Sequence, residues 1–172
     1  MGWSNAGRYF ALALSVTAAG GALASISARA ADRIIEFRHP MPPGIRGIAE
    51  TYLSKLGYFD AASKSAAASA AFLSNDVYWA QADIDDSGYD EIFLSIRGDW
   101  CGTAGCDLVI LERILHGLWR PLCQTESDKD RVVMRGKKDG AFHELILSAR
   151  PGTKTVYLRW ADNECFEYVP GR

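Results

Sequence analysis

The sequence predicts an α+β fold, with two N-terminal helices packed on a mostly antiparallel sheet of about eight short strands. Three observations carry this expectation. Apolar residues from Ile45 to Leu56 recur at helical spacing. From Asp76 onward the apolar period changes to two. Turn residues then separate the alternating runs at regular intervals, as in a meander.

The first thirty residues read as a targeting segment. Arg8 supplies a positive start, and Tyr9 to Ala24 is rich in Ala, Leu and Val. Ala28-Arg29-Ala30 places small residues where a signal peptidase reads them, so residues 1–30 are expected to be a signal peptide cleaved after Ala30. The rival is an uncleaved anchor. The apolar run is shorter than the roughly 20 residues a span needs, and Gly and Ser dilute it. The expected product is a single domain over 31–172, periplasmic or secreted, with no membrane span in the mature chain.

Ala31 to Pro43 ends in a Pro-rich extended stretch, His39-Pro40-Met41-Pro42-Pro43. Ile45, Ile48, Ala49, Tyr52, Leu53 and Leu56 then share one helix face, and Gly57 is placed to end that helix. Asp60 can cap a second, Ala-rich helix, Ala61 to Leu73, with Phe72 and Leu73 as its packing residues. The strands follow. Val77 to Ala82, Ile92 to Ile96 and Leu108 to Arg113 come first, and His116-Gly117 turns the chain into Leu118 to Thr125. Arg131 to Arg135 and Ala141 to Leu147 flank an Asp139-Gly140 hairpin turn. Lys154 to Trp160 and Glu164 to Val169 complete the set. Trp119, Tyr157 and Trp160 are expected to fill the core.

Composition narrows the function classes. The chain has 172 residues, 48% apolar and 23% charged, with net charge -2, which is the balance of a globular domain. No basic stripe stands out, so nucleic acid is excluded as a partner. The four cysteines, Cys101, Cys106, Cys123 and Cys165, are even in number, and an exported chain meets an oxidising compartment. Two glycines inside Cys101-Gly-Thr-Ala-Gly-Cys106 let that loop fold back, so Cys101 pairs with Cys106. Cys123 then pairs with Cys165 by elimination, closing a loop of about 40 residues for a few kcal/mol of stabilisation. Zinc and redox chemistry are the rivals for these thiols, and no C-x-x-C pair supports either.

The densest chemistry lies in Asp83-Ile84-Asp85-Asp86-Ser87-Gly88-Tyr89-Asp90-Glu91, where five of nine residues are acidic. Counting from Asp83, oxygen-bearing side chains stand at positions one, three and five, Gly88 at six and Glu91 at nine. Carboxylates two apart on a tight turn converge on a common centre, and the Tyr89 carbonyl can join them. The expected ligands are therefore Asp83, Asp85, Ser87, Tyr89 and Glu91, and the expected ion is a hard cation. The rival is an acidic turn whose Asp side chains bond their own backbone.

Between its two strands this D-x-D-x-S-G-x-x-E run resembles the calcium loops of integrin-type FG-GAP repeats, over about twenty residues from Val77 to Ile96. The resemblance implies calcium at Asp83, Asp85, Ser87 and Glu91. Ser87 stands where those loops carry Asp or Asn, and Glu91 where they carry Asp. With the following C-G-x-x-G-C, the stretch also resembles small exported bacterial proteins of unknown function.

Trp100 and Thr103 sit on the stapled loop, and a rigid loop carrying an aromatic suits partner binding; the rival is a disulfide-stapled turn with Trp100 packed into the core. Catalytic signatures are weak. His39, His116 and His143 are scattered, and no G-x-S-x-G, H-E-x-x-H or phosphate loop occurs. The basic run Arg131, Arg135, Lys137 and Lys138 reads as a solvated hairpin. The expected function is that of an exported, non-catalytic domain that binds calcium and a protein or cell-envelope partner. An inhibitor of a periplasmic hydrolase and a carboxylate-based cell-wall hydrolase are the alternatives.

Overall fold

The computed structural model describes residues 31–59, 66–103, 105–127, 131–148, 155–161 and 164–169. The expected signal peptide and the first residues of the Ala-rich helix lie outside them. Element order is β1 (Arg33–Ile35), α1 (Pro43–Lys55), α2 (Ala66–Asn75), β2 (Val77–Ala82), β3 (Glu91–Cys101), β4 (Cys106–Arg113) and β5 (Trp119–Ser127), then β6 (Val132–Asp139), β7 (Phe142–Ser148), β8 (Val156–Ala161) and β9 (Glu164–Tyr168). A 3-10 turn, Leu115–Gly117, lies between β4 and β5.

The expected arrangement needs correction. The two helices are not N-terminal, because β1 precedes them. The strands form two antiparallel sheets, not one. One has four strands in the order β2-β3-β4-β5, and the other has five in the order β1-β6-β7-β8-β9. Strands dominate the described residues. The expectation failed because β1 is a three-residue strand whose partner, Val132 to Met134, lies about a hundred residues away.

Each element forms for a local reason. Pro43 opens α1, where a missing N–H is harmless and its fixed φ suits the helix. Gly57, at φ 85°, closes it. The Gly57 N–H donates to the Ser54 carbonyl and the Tyr58 N–H to the Leu53 carbonyl, both at 3.0 Å. Ala49 and Leu53 form the buried stripe of α1, and Leu73 is buried on α2 together with Ser69. Phe72 packs edge-on against Phe59.

The four-stranded sheet is buried on both faces. Ile92, Leu94, Ile96, Val109 and Leu111 belong to a core shared with Ala49, Leu53 and Leu73 of the helices. Phe93, Leu108 and Ile110 belong to a second core with Val132, Leu145, Leu147, Leu158 and Trp160 of the five-stranded sheet. The layers are therefore helices, four-stranded sheet, five-stranded sheet. Truncating any of the fully buried Leu or Ile residues to Ala removes about 2–5 kcal/mol. Of the three expected core aromatics, Trp160 is buried, whereas Trp119 and Tyr157 are half-buried.

A disulfide joins Cys123 of β5 to Cys165 of β9, stapling one sheet to the other. The Thr125 hydroxyl donates to the Glu167 carboxylate beside it. A second disulfide, Cys101–Cys106, crosses the β3–β4 hairpin between directly paired residues. Two disulfides suit an extracellular or periplasmic location. No helix among the described residues is long and apolar enough to cross a membrane.

An up-and-down meander places alternate connections at the same end of a sheet. The β2–β3 loop, residues 83–90, and the β4–β5 turn, residues 114–118, therefore lie together. The β6–β7 hairpin reaches the same end from the other sheet, where the His143 N–H donates to the Ile84 carbonyl at 2.6 Å.

Candidate metal centre

The β2–β3 pairing runs to Ala82 opposite Glu91, so the acidic loop is closed by the first residue of β3. That geometry turns the Glu91 side chain back under the loop, and the residue is only 3% exposed. Its Oε2 accepts a hydrogen bond from the Ile84 N–H at 2.9 Å. Asp83 and Asp85 fold inward because both accept from the Ser87 N–H, at 3.1 and 2.9 Å. Asp83 also accepts from the Gly88 N–H at 2.9 Å. Gly88 sits at φ 84°, a turn that a side chain would strain.

Together these bonds bring one carboxylate oxygen each from Asp83, Asp85 and Glu91 within 4.8 Å of one another. Oxygens 2.3–2.6 Å from one calcium ion span up to about 5 Å, so the cluster is of a size to hold a metal ion. A carboxylate has about four lone-pair sites on its two oxygens, more than the backbone donors of this loop use. Internal hydrogen bonding therefore shapes the cluster without closing it to a cation.

Electrostatics separate the three acids. Burial pushes the Glu91 carboxyl up from 4.5 to about 7, the Ile84 N–H opposes this, and the charges of Asp85 and Asp83 add to it. For Asp85 burial also works upward, but hydrogen bonds from the Ser87 hydroxyl and amide outweigh it and hold this carboxyl below its usual range. Among the described residues no Lys, Arg or His forms an ion pair with Asp83, Asp85 or Glu91.

Ser87 serves the loop through its amide, and its hydroxyl accepts from the Tyr89 N–H at 3.3 Å. The Tyr89 ring points outward, 59% exposed, beneath the Arg113 guanidinium. Thr103 is exposed at the far end of the β3–β4 hairpin, and Trp100 lies in β3 with its side chain outside the described residues.

Sequence reasoning passed over the neighbours that anchor the loop. Asp86, at φ 61°, turns its carboxylate to side chains of the five-stranded sheet. Its carboxylate pairs with Lys138 at 2.6 Å and with His143 Nε2 at 3.1 Å. These partners, Lys138 foremost, hold the Asp86 carboxyl below the usual range. Lys138 also donates to the Asp85 carbonyl at 2.8 Å. His143 is buried, with Nδ1 at 2.7 Å from the Arg135 carbonyl. Lys138 is thus part of a clamp between the two sheets, not merely a solvated turn residue. No local pattern signals this, since 52 to 57 residues separate the partners.

No family model, no curated protein and no solved structure matches this chain.

Proposed function

We propose that this protein is an exported, non-catalytic binding domain whose acidic loop holds a calcium ion. Glu91 is the observation that carries the reading. A carboxyl this deeply buried, facing two further carboxylates with no basic partner, has its charge answered once a divalent cation enters. Calcium suits the position better than magnesium. It accepts irregular sets of six to eight oxygens, including carboxylates, carbonyls and water, whereas magnesium demands near-octahedral order. Asp83, Asp85 and Glu91 supply the charge, and the Ser87 hydroxyl and the Tyr89 carbonyl are assigned as neutral ligands of the same ion. Likeness to FG-GAP-type loops supports the same ion.

In this reading calcium stiffens the end of the sandwich where the β2–β3 loop, the β4–β5 turn and the β6–β7 hairpin meet, and that end recognises a partner outside the cytoplasm. The N-terminal thirty residues act as the export signal. The test is thermal unfolding of the purified protein with calcium and with chelator. Calcium at ten to a hundred times Kd should stabilise by about 1–3 kcal/mol. Asp83→Asn should abolish that gain while leaving the chain folded. An unchanged melting temperature with and without calcium overturns the proposal.

A further inference from the structure

Exposed large apolar side chains are not scattered over the surface. Among the described residues they are Ile34, Tyr89, Ile114, Leu115, Leu118 and Phe166. Four of these six gather where the acidic loop meets the β4–β5 turn. Leu115 is 83% exposed and Leu118 61%. A groove of about 480 Å³ runs between the two connections, with Asp85, Ser87 and Tyr89 on one wall and Arg113 to Gly117 on the other.

The turn that presents these residues has a fixed shape. The Ile114 N–H donates to the Leu118 carbonyl at 2.8 Å, and His116 adopts φ 65°, a conformation that a non-glycine residue holds only when its surroundings impose it. A fixed turn loses little entropy on docking, so exposed leucines on it suit an interface.

Arg113 sets the polarity of the groove. Its guanidinium lies 5.2 Å from the centre of the Tyr89 ring, and among the described residues no carboxylate pairs with it. Stacking on an aromatic leaves the guanidinium fork free to grip a carboxylate. The opposite wall is shared with the acidic loop, because Asp85 and Ser87 belong to both. Without an ion, the Asp83 and Asp85 charges repel an incoming acid; with calcium bound, that repulsion is gone.

We propose that this groove docks a short extended segment of another protein carrying Asp or Glu beside a large apolar residue, and that calcium at the acidic loop tightens the docking. Arg113 grips the carboxylate, while Ile114, Leu115 and the Tyr89 ring cover the apolar side chain. An anionic membrane fits less well, since Arg113 stands beside the acidic loop and Lys138 at this end is already paired with Asp86. The calcium dependence rests on the ion reading above; the peptide chemistry rests on Arg113 and the turn.

The test measures fluorescence polarisation of two labelled peptides, acetyl-Gly-Leu-Asp-Leu-Gly-amide and the same peptide with Lys in place of Asp, against the full chain. Calcium binding is followed in parallel by calorimetry. The Asp peptide should bind in about 1 mM calcium, at least about tenfold more weakly in chelator, and the Lys peptide should not bind. Arg113→Gln and Leu115→Ser should each lose the Asp peptide by about tenfold or more while the calcium isotherm stays unchanged. A normal calcium isotherm with no preference between the peptides, or with both variants binding like wild type, overturns the groove assignment. No calcium heat, with Asp-peptide binding indifferent to chelator, overturns the ion link instead. Binding to phosphatidylserine vesicles with neither peptide bound overturns the choice of a protein partner.

Discussion

Glu91 reaches back from the first position of β3 to accept a hydrogen bond from the Ile84 N–H at 2.9 Å. This one contact closes the acidic loop and buries a carboxyl against two others. Most of what distinguishes the molecule chemically depends on that placement.

The first consequence is a pH dependence. Folding raises the Glu91 pKa from 4.5 to about 7, so between those values the folded chain holds a proton that the unfolded chain has released. Stability from this group is full below about pH 4.5 and is lost as pH rises through about 7, a change of at most a few kcal/mol. The calcium-free protein should therefore have a lower denaturation midpoint at pH 8 than at pH 5.5. Glu91→Gln keeps the acceptor for Ile84 and removes the charge, so it should flatten this slope. Urea unfolding across the pH range checks both points, and an unchanged slope in the variant contradicts the assignment.

Gly105 marks a second dependence. A Cβ added there would meet the Ser127 carbonyl oxygen at 2.3 Å, and that oxygen is backbone that cannot swing aside. Gly105→Ala should destabilise by about 2–4 kcal/mol, whereas Gly102→Ala, which meets nothing within 4 Å, should change little. Denaturant midpoints of the two variants measure the difference.

The disulfides should differ in weight. Cys123–Cys165 closes 42 residues and ties the two sheets together, whereas Cys101–Cys106 closes five within one hairpin. Replacing Cys123 and Cys165 by Ala should remove about 2–5 kcal/mol. The same change at Cys101 and Cys106 should remove less, because a short loop has little entropy to constrain. Chemical unfolding of the two double variants gives the comparison.

How far the fold could be read from sequence follows from contact distance. The first helix, the alternation entering and leaving the acidic loop, and the turn at Gly140 are local signals that the chain carries within a few residues. The division into two sheets is not local. Ile92, Phe93, Leu94 and Ile96 are apolar on both faces of one strand, the mark of a sheet covered on two sides, yet that pattern does not say what covers it. The three residues of β1 are too few to show a period. At the candidate site, the spacing of Asp83, Asp85 and Glu91 was readable because the loop folds on itself. The clamp from Asp86 to Lys138 and His143, and the meeting of Tyr89 with Arg113, were not, because each joins residues from separate hairpins.

The most direct measurement is an isothermal calcium titration of the purified protein at about pH 7.5 beside the Glu91→Gln variant. Binding should appear at one site with Kd of roughly 10⁻⁵ to 10⁻³ M, with protons released as Glu91 ionises, and should vanish in the variant. No heat up to millimolar calcium, or an isotherm that Glu91→Gln leaves intact, would contradict the account.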